Sequence, residues 1–413
     1  MVIVPTCGLA SKAGRVRRKF LLTAATAALV PVMALTAMDA VADDSVKVAV
    51  IAPLAGAFAV SGQDVLNGAK LAAEEINAAG GIKSLGGRKL ELLVGDAGQS
   101  PETAVTTARR VLNQKPVAAI GSWYSSLTLA ATQIAERSRI PWVTGSVADD
   151  ITNRGFKYVY KISAGSEASA QGLIDAIKLV GADSYRLALL GDNNAANTSI
   201  QAFIKTKVDP SSIVSEQTWT PPLSDATPVV NGILRSKPDI IYLGATSTSD
   251  QALVLKQLAA QGNTAPIVMG ASSAANPTFR DAVGSQGMEG VIVATGVSFP
   301  GKGAEDINQK YVESTKQAFM DCEALTGYVN IYVVAQALEQ AGKADPAAVK
   351  QALDDMDIQN FHVFEALPGG ARMKFDETGL RENNAVEILQ WQGGQPRVIA
   401  PADVATAEVK KKL

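Results

Sequence analysis

The sequence predicts an α/β protein of two doubly wound parallel-sheet lobes joined by a hinge of crossing strands. Three observations lead there. Short apolar runs alternate with stretches whose apolar residues recur at helical spacing. The alternation completes one set by residue 144 and then begins again. No low-complexity linker separates the sets, which suits lobes joined by several short crossings better than domains strung in a row.

Val46–Ile51 reads as the first strand. Asp64–Ala79 reads as an amphipathic helix, with Leu66, Ala69, Leu71, Ala72 and Ile76 on its apolar face, and Gly80-Gly81 ends it. Leu90–Val94 is a strand, Pro101–Leu112 a helix, Val117–Ile120 a strand, Ser126–Arg137 a helix and Trp142–Thr144 a short strand. The second set runs through helix Glu167–Val180, strand Leu187–Leu190, helix Thr198–Lys207 and strands Ile213–Thr218 and Ile240–Leu243. Helix Asp250–Gln261 and strands Ile267–Met269 and Val291–Ala294 follow. Two long helices come next, Ala304–Phe319 and Leu325–Ala341. Phe375–Asn384 is turn-rich, and Val386–Trp391 reads as the last strand.

Of the 413 residues, 47% are hydrophobic and 19% charged, which excludes a disordered chain. Lys plus Arg is 38 against 40 for Asp plus Glu, and a nucleic-acid partner would normally leave a basic excess. Two cysteines and one histidine supply neither a zinc cage nor a disulfide framework. The glycine-rich nucleotide motifs and the Gly-x-Ser-x-Gly elbow are absent. No cofactor, metal or catalytic residue is therefore expected. His362, between Phe361 and Val363, reads as a satisfied structural histidine, and Cys322, among Phe319, Met320 and Leu325, as a buried small hydrophobe.

Residues 1–42 read as a cleaved export signal. Arg17-Arg18-Lys19 precedes an apolar, Ala- and Thr-rich run that reaches Met38, and Ala40-Val41-Ala42 fits a signal peptidase site. The paired arginines resemble a twin-arginine signal, although a Sec signal also opens with basic residues. The leader holds Lys12, Arg15, Arg17, Arg18 and Lys19 but only one acid, Asp39, so the product carries a formal charge of −6. Cys7 leaves with the leader. A soluble periplasmic product is expected.

In open α/β sheets ligands bind beyond the carboxyl ends of the strands. Two such ends are rich in hydroxyls. Gly121-Ser122-Trp123-Tyr124-Ser125-Ser126 opens a helix, and Thr144-Gly145-Ser146 leads the next loop. Helix N-terminal N–H groups with serine hydroxyls make a carboxylate seat, the plainer alternative being a serine helix cap. Trp123 and Tyr124 are either rim packing or a stacking wall. Asp149-Asp150 reads as a turn or cap rather than a catalytic pair.

Several segments together resemble the solute-binding proteins of branched-chain amino acid ABC importers, the type I periplasmic binding fold. They are Val48 to Gly56, the run from Gly68 to Asn77 followed by Gly80-Gly81-Ile82, Ala119-Ile120-Gly121 with Ser125-Ser126, Ile140-Pro141 and Arg154-Gly155-Phe156. Met269-Gly270 and Phe375 to Gly379 complete the ordered set. The resemblance implies lobe I from residues 43–163 plus 296–375 and lobe II from 164–295 plus 376–413. It implies a monomer with two partners, a small-molecule ligand and the membrane permease subunits. It places a ligand carboxylate at Ser125 and Ser126 with Gly145 and Ser146, or Val147 if the loop is offset by one. It also brings Trp123, Tyr124, Asn194, Thr246, Ser272 and Tyr328 forward as ligand contacts.

The sequence departs from the family where its members present an acid to the ligand's ammonium. That position reads Ser272, after Met269-Gly270-Ala271. Asn193-Asn194-Ala195-Ala196-Asn197 stands where an aromatic is usual, Thr246 near a family tyrosine, and Gly98 and Tyr124 replace a cysteine pair. A charge-assisted hydrogen bond is worth about 1.5–3 kcal/mol, so its loss would weaken amino-acid binding by roughly 10- to 150-fold. The expectation is a carboxylate lacking an α-ammonium, unless Asp149, Asp150 or Asp192 reaches the amine. The sequence is best read as an extracytoplasmic solute-binding component of an ABC importer. The alternatives are a ligand-sensing receptor of the same fold and an exported serine hydrolase.

Overall fold

A computed structural model describes residues 45–180, 184–270, 272–296 and 304–410. The export signal and its cleavage site lie outside the described residues. The first lobe is built by β1 (Val46–Ala52), α1 (Ala59–Ala78), β2 (Leu90–Asp96), α2 (Pro101–Leu112), β3 (Ala118–Gly121), α3 (Ser125–Ser138), β4 (Trp142–Thr144), the single turn α4 (Asp150–Asn153) and β5 (Val159–Lys161). Its strands are all parallel in the order β2-β1-β3-β4-β5. Every residue of β1 except Lys47 is buried. Val48 and Val50 enter one core with Leu66 and Ala72 of α1, while Ala49 and Ile51 enter another with Ala108 and Leu127 of α2 and α3. Successive side chains on a strand face opposite ways, so an unbroken apolar run needs helices on both faces.

The second lobe holds α5 (Ser166–Val180), β6 (Leu187–Asp192), α6 (Ala195–Lys207), β7 (Ile213–Trp219), α7 (Thr227–Arg235), β8 (Ile240–Gly244), α8 (Thr248–Ala260), β9 (Ile267–Met269), α9 (Pro277–Val283), α10 (Ser285–Met288) and β10 (Ile292–Thr295). The chain then adds α11 (Glu305–Thr315), α12 (Cys322–Ala341) and α13 (Pro346–Asp354), and a small ribbon of β11 (Asp357–Ile358) and β12 (Met373–Lys374) flanks α14 (His362–Glu365). β13 (Glu387–Gln392) and β14 (Gln395–Ala400) return to the second sheet. Its order is β14-β13-β10-β9-β8-β6-β7, parallel except for β13, which runs antiparallel to both of its neighbours. Leu187 and Leu189 face a core with α5 and α6, while Ala188 and Leu190 face the opposite core. The chain thus crosses between sheets after β5, between β10 and α11, and between β12 and β13.

α12 lies along α1 on the first sheet. A Cβ at Gly68 would stand 1.8 Å from the Ala324 carbonyl oxygen, and one at Gly327 2.0 Å from that of Val65. The two backbones touch through reciprocal glycines, which accounts for the Gly68–Asn77 signature. Asp321 starts α12 by accepting the Ala324 N–H at 2.8 Å.

The structure corrects several expectations. Val386–Trp391 is followed by β14 across Gly393-Gly394, both at positive φ, the tight hairpin that two glycines favour. α7 and α13, which were not among the helices read from the sequence, carry Pro near their first positions, where a missing N–H costs nothing. β5 was also unforeseen, being three residues long. α11 stops at Lys316, which takes a left-handed φ of 63°, short of the expected Phe319. His362, read as a satisfied structural histidine, is exposed and edge-on to Phe361. Cys322 is buried, as its neighbours predict.

Candidate functional site

The carboxyl ends of β3 and β4 face those of β6, β8, β9 and β10 across a cavity of about 610 Å³, its open mouth included. Six of the residues expected at the site line it: Trp123, Ser125, Gly145, Asn194, Thr246 and Ser272. Ser125 is the first residue of α3, so no carbonyl one turn earlier receives its N–H. Its hydroxyl accepts from both Val147 N and Ala148 N at 3.2 Å. A hydroxyl has two acceptor positions and one donor, so the capacity left over is the O–H donor. Tyr124, not a serine, occupies the cap position of α3. Gly145 leaves room for α12, since a Cβ there would lie 2.4 Å from Thr326 Cγ2. The indole Nε1 of Trp123 is buried and has no partner among the described residues.

Four expected residues stand elsewhere. Ser126 bridges the lobes: its Oγ donates to Asn194 Oδ1 at 2.8 Å and accepts from Ala195 N at 3.1 Å. Ser146 turns into the first lobe, sharing hydrogen bonds with Thr128 Oγ1 at 2.7 Å and Thr144 Oγ1 at 3.1 Å. Val147 takes the wall position beside Gly145 instead. Tyr124 packs on Phe58 with ring centroids 4.1 Å apart, and burial raises its phenol above the usual range. Tyr328 lies between α1 and α12, where its hydroxyl donates to Glu75 Oε2 at 2.5 Å, so packing rather than the cavity claims it.

Of the three acids weighed for an amine, Asp150 stands exposed in the first turn of α4 and is not part of the cavity wall, and the other two are engaged. Asp149 accepts from Lys161 at 3.3 Å and from Ser166 N and Glu167 N at 3.0 and 3.1 Å, closing the first turn of α5. Asp192 accepts from Thr246 N at 2.8 Å, Asn194 N at 3.1 Å and the Asn197 amide, while burial raises its carboxyl. Asn194 Nδ2 donates in turn to Thr246 Oγ1 at 2.9 Å, which fixes that wall.

Sequence reasoning missed Glu323. It sits in the first turn of α12, is 2% exposed and lines the cavity. Ser272 Oγ donates to its Oε1 at 2.6 Å, and Oε2 is buried with no hydrogen-bond partner among the described residues. Burial pushes its carboxyl up to about 7 against the pull of the Ser272 hydrogen bond, and Asp64 adds to the rise. A signal was available: Glu323 is an acid between Cys322 and Ala324 in a helix whose first ten residues are apolar or small apart from it, Thr326 and Asn330. Behind it lies a buried cluster. Asn276 Nδ2 donates to Asp64 at 3.0 Å and to Asp321, and Asp64 Oδ1 accepts from Tyr311 at 3.2 Å and Gln317 at 2.8 Å. Among the described residues there is no group of metal-binding side chains and no helix long and apolar enough to cross a membrane.

The family model for periplasmic binding proteins matches residues 45–395. Leu/Ile/Val-binding protein homolog 7 of Brucella abortus (strain 2308) is 30% identical over 401 residues, covering 92% of this chain and 97% of that one. Leu/Ile/Val-binding protein homolog 8 of the same strain is 26% identical, over 89% and 93%. Among solved structures, the leucine-binding protein LivK of Thermotoga maritima superposes with a TM-score of 0.73 at 22% identity, over 86% of this chain and 98% of that one. A fatty acid ABC transporter substrate-binding protein of Thermomonospora curvata does so equally, at 0.73 and 19%, over 89% and 95%. These structures share the fold, and their differing solutes leave the ligand open. The curated relatives are solute-binding proteins and not enzymes, and the chain belongs with them to the periplasmic binding protein family, in its type I fold.

Proposed function

We propose that the protein is the solute-binding component of an ABC importer that closes over a small organic carboxylate or hydrophobic amino acid and delivers it to the permease. Its role as a binding protein of this fold is given by the family; the importer and the solute are the proposal. The observation that carries it is Ser125. Both acceptor positions of its hydroxyl are taken by Val147 N and Ala148 N, so a donor remains beside the first N–H groups of α3. Donors gathered at a helix N-terminus favour an anion. In this reading the closing lobes are residues 43–163 with 296–375 and 164–295 with 376–413, and the protein acts as a monomer. An extracytoplasmic location follows from the family, and Arg17-Arg18 supports export by the twin-arginine route. The hydrolase alternative lacks a base, because His362 is exposed on α14 and is not part of the cavity wall.

The test is calorimetry of the purified protein against branched-chain and aromatic amino acids and their amine-free counterparts. Binding of at least one class at micromolar affinity, with loss of uptake of that solute when the gene is deleted, is expected. Undisturbed uptake with intact binding would favour a sensory receptor.

A further inference from the structure

The cavity contains one feature that an anion seat leaves unexplained. Glu323 offers it a buried carboxyl oxygen with no partner among the described residues. A buried polar group without a partner is costly, and a buried charge more so. A donor carried by the solute would satisfy Oε2. Among the described residues, the carboxyl's one side-chain hydrogen bond comes across the cavity from Ser272, in the turn after β9, while Glu323 itself rides on the first lobe. Closing the lobes therefore completes one side of the carboxyl and leaves the other for the ligand.

We infer that Glu323 selects the solute's charge: Oε2 receives a protonated amine, and capture of that amine expels the proton carried by the unliganded carboxyl. This rests on the cavity being the solute site. The proton passes to solvent, the carboxylate faces the ammonium, and no bond to carbon changes. The solute is then a zwitterion with its carboxylate at Ser125 and its amine at Glu323, contrary to the expectation raised by Ser272. The strand-end acid is absent, and an acid from the start of α12 stands behind the serine that replaces it.

The surroundings favour the protonated form of the unliganded carboxyl. The titratable groups facing Glu323 are Asp64 of α1 and, on its own helix, Asp321 and Cys322. Both aspartates repel a charge at Glu323, and no cation pairs with it among the described residues. Burial and Asp64 hold the carboxyl near 7, with Ser272 opposing. Below that pH a proton must leave for each amine bound, so affinity falls as pH falls, by up to about tenfold per unit. Above it the carboxylate is already formed and the dependence flattens.

Isothermal titration of the protein with L-leucine and L-phenylalanine, and with 4-methylpentanoate and 3-phenylpropanoate, tests this. It is run from pH about 5.5 to 8.5 in two buffers of different ionisation enthalpy, which counts the protons released. An amino acid should bind better than its amine-free counterpart, releasing close to one proton below pH 7. Glu323→Gln should weaken amino-acid binding about 10- to 100-fold and abolish the proton release, with binding of the amine-free acid retained. Ser272→Ala should move the pH at which affinity levels off upward, because a hydrogen bond to the charged form is lost. Melting curves show that both variants are folded. Tighter binding of the amine-free acids, or amino-acid binding with no proton release and no loss in Glu323→Gln, overturns the role of Glu323 and leaves the solute-binding reading intact. Binding of none of the four probes overturns both.

Discussion

Ser126 on α3 and Asn194 at the start of α6 are hydrogen-bonded across the lobes, Oγ to Oδ1 at 2.8 Å, and the Ser126 backbone N–H adds a second bond to the same oxygen at 3.3 Å. Ala195 N returns a bond to Ser126 Oγ, and Asn194 is held in turn by Thr246. A residue expected to touch the solute instead ties the two lobes together.

Ser126→Ala should therefore act on closure. Two side-chain hydrogen bonds disappear, each worth about 0.5–1.5 kcal/mol net. Affinity is expected to drop about 5- to 20-fold, mostly through faster release, with melting in the absence of solute little changed. Stopped-flow dissociation separates this from a direct ligand contact, which would depend on which solute is bound.

Ser125 and Ser146 should behave oppositely to one another. Ser125→Ala removes the donor facing the cavity and should weaken binding of any carboxylate by about 1–3 kcal/mol, read by calorimetry. Ser146→Ala leaves the buried Thr128 and Thr144 hydroxyls short of a partner. It should lower unfolding stability by about 1–3 kcal/mol in urea titration while affinity stays within about threefold.

The Asp64–Asn276–Asp321 cluster makes stability depend on pH. Asp321 is raised well above the usual carboxylate range, by burial first and then by Asp64. The native state thus holds a proton that the unfolded chain gives up near pH 3.9. The stability it contributes is complete below that pH and is lost as pH rises toward the native value. Asp321→Asn mimics the protonated acid and keeps a good helix cap. Its melting temperature should fall less than wild type between pH 5 and pH 8, and parallel curves would contradict the assignment.

Export should remove residues 1–42, leaving Asp43 at the N-terminus by intact-mass analysis. Replacing Arg17 and Arg18 by Lys should block export on the twin-arginine route, whereas unchanged export would point to Sec.

Much of this was legible in the sequence because periodicity is a local property. Pro101–Leu112, Trp142–Thr144 and Ile267–Met269 match the structure residue for residue. α7 and α13 were lost because a proline near a helix's start and one that ends a helix look alike in one dimension. At the site, position along a strand end identified Trp123, Ser125 and Gly145 but not the direction each side chain takes. Ser146 and Tyr328 point into packing, and only the tertiary structure decides that. Glu323 is 198 residues from Ser125 in the chain and reaches the cavity through α12, so no strand-end motif contains it.

The reciprocal contact of Gly68 and Gly327 has a mechanical consequence. With no side chains to hold α1 and α12 apart, the start of α12 is seated on the first sheet, and Gly145 lets the loop after β4 lie against the same helix at Thr326. Ser125, Gly145 and Glu323 are therefore fixed to one frame. The spacing of the cavity's two polar ends is thus set within the first lobe alone. If the cavity is the solute site, the first lobe acts as a ruler for the gap between a solute's polar groups, and the second lobe gauges its bulk. A larger residue at position 68 would miscalibrate that ruler from behind, without touching the cavity at all.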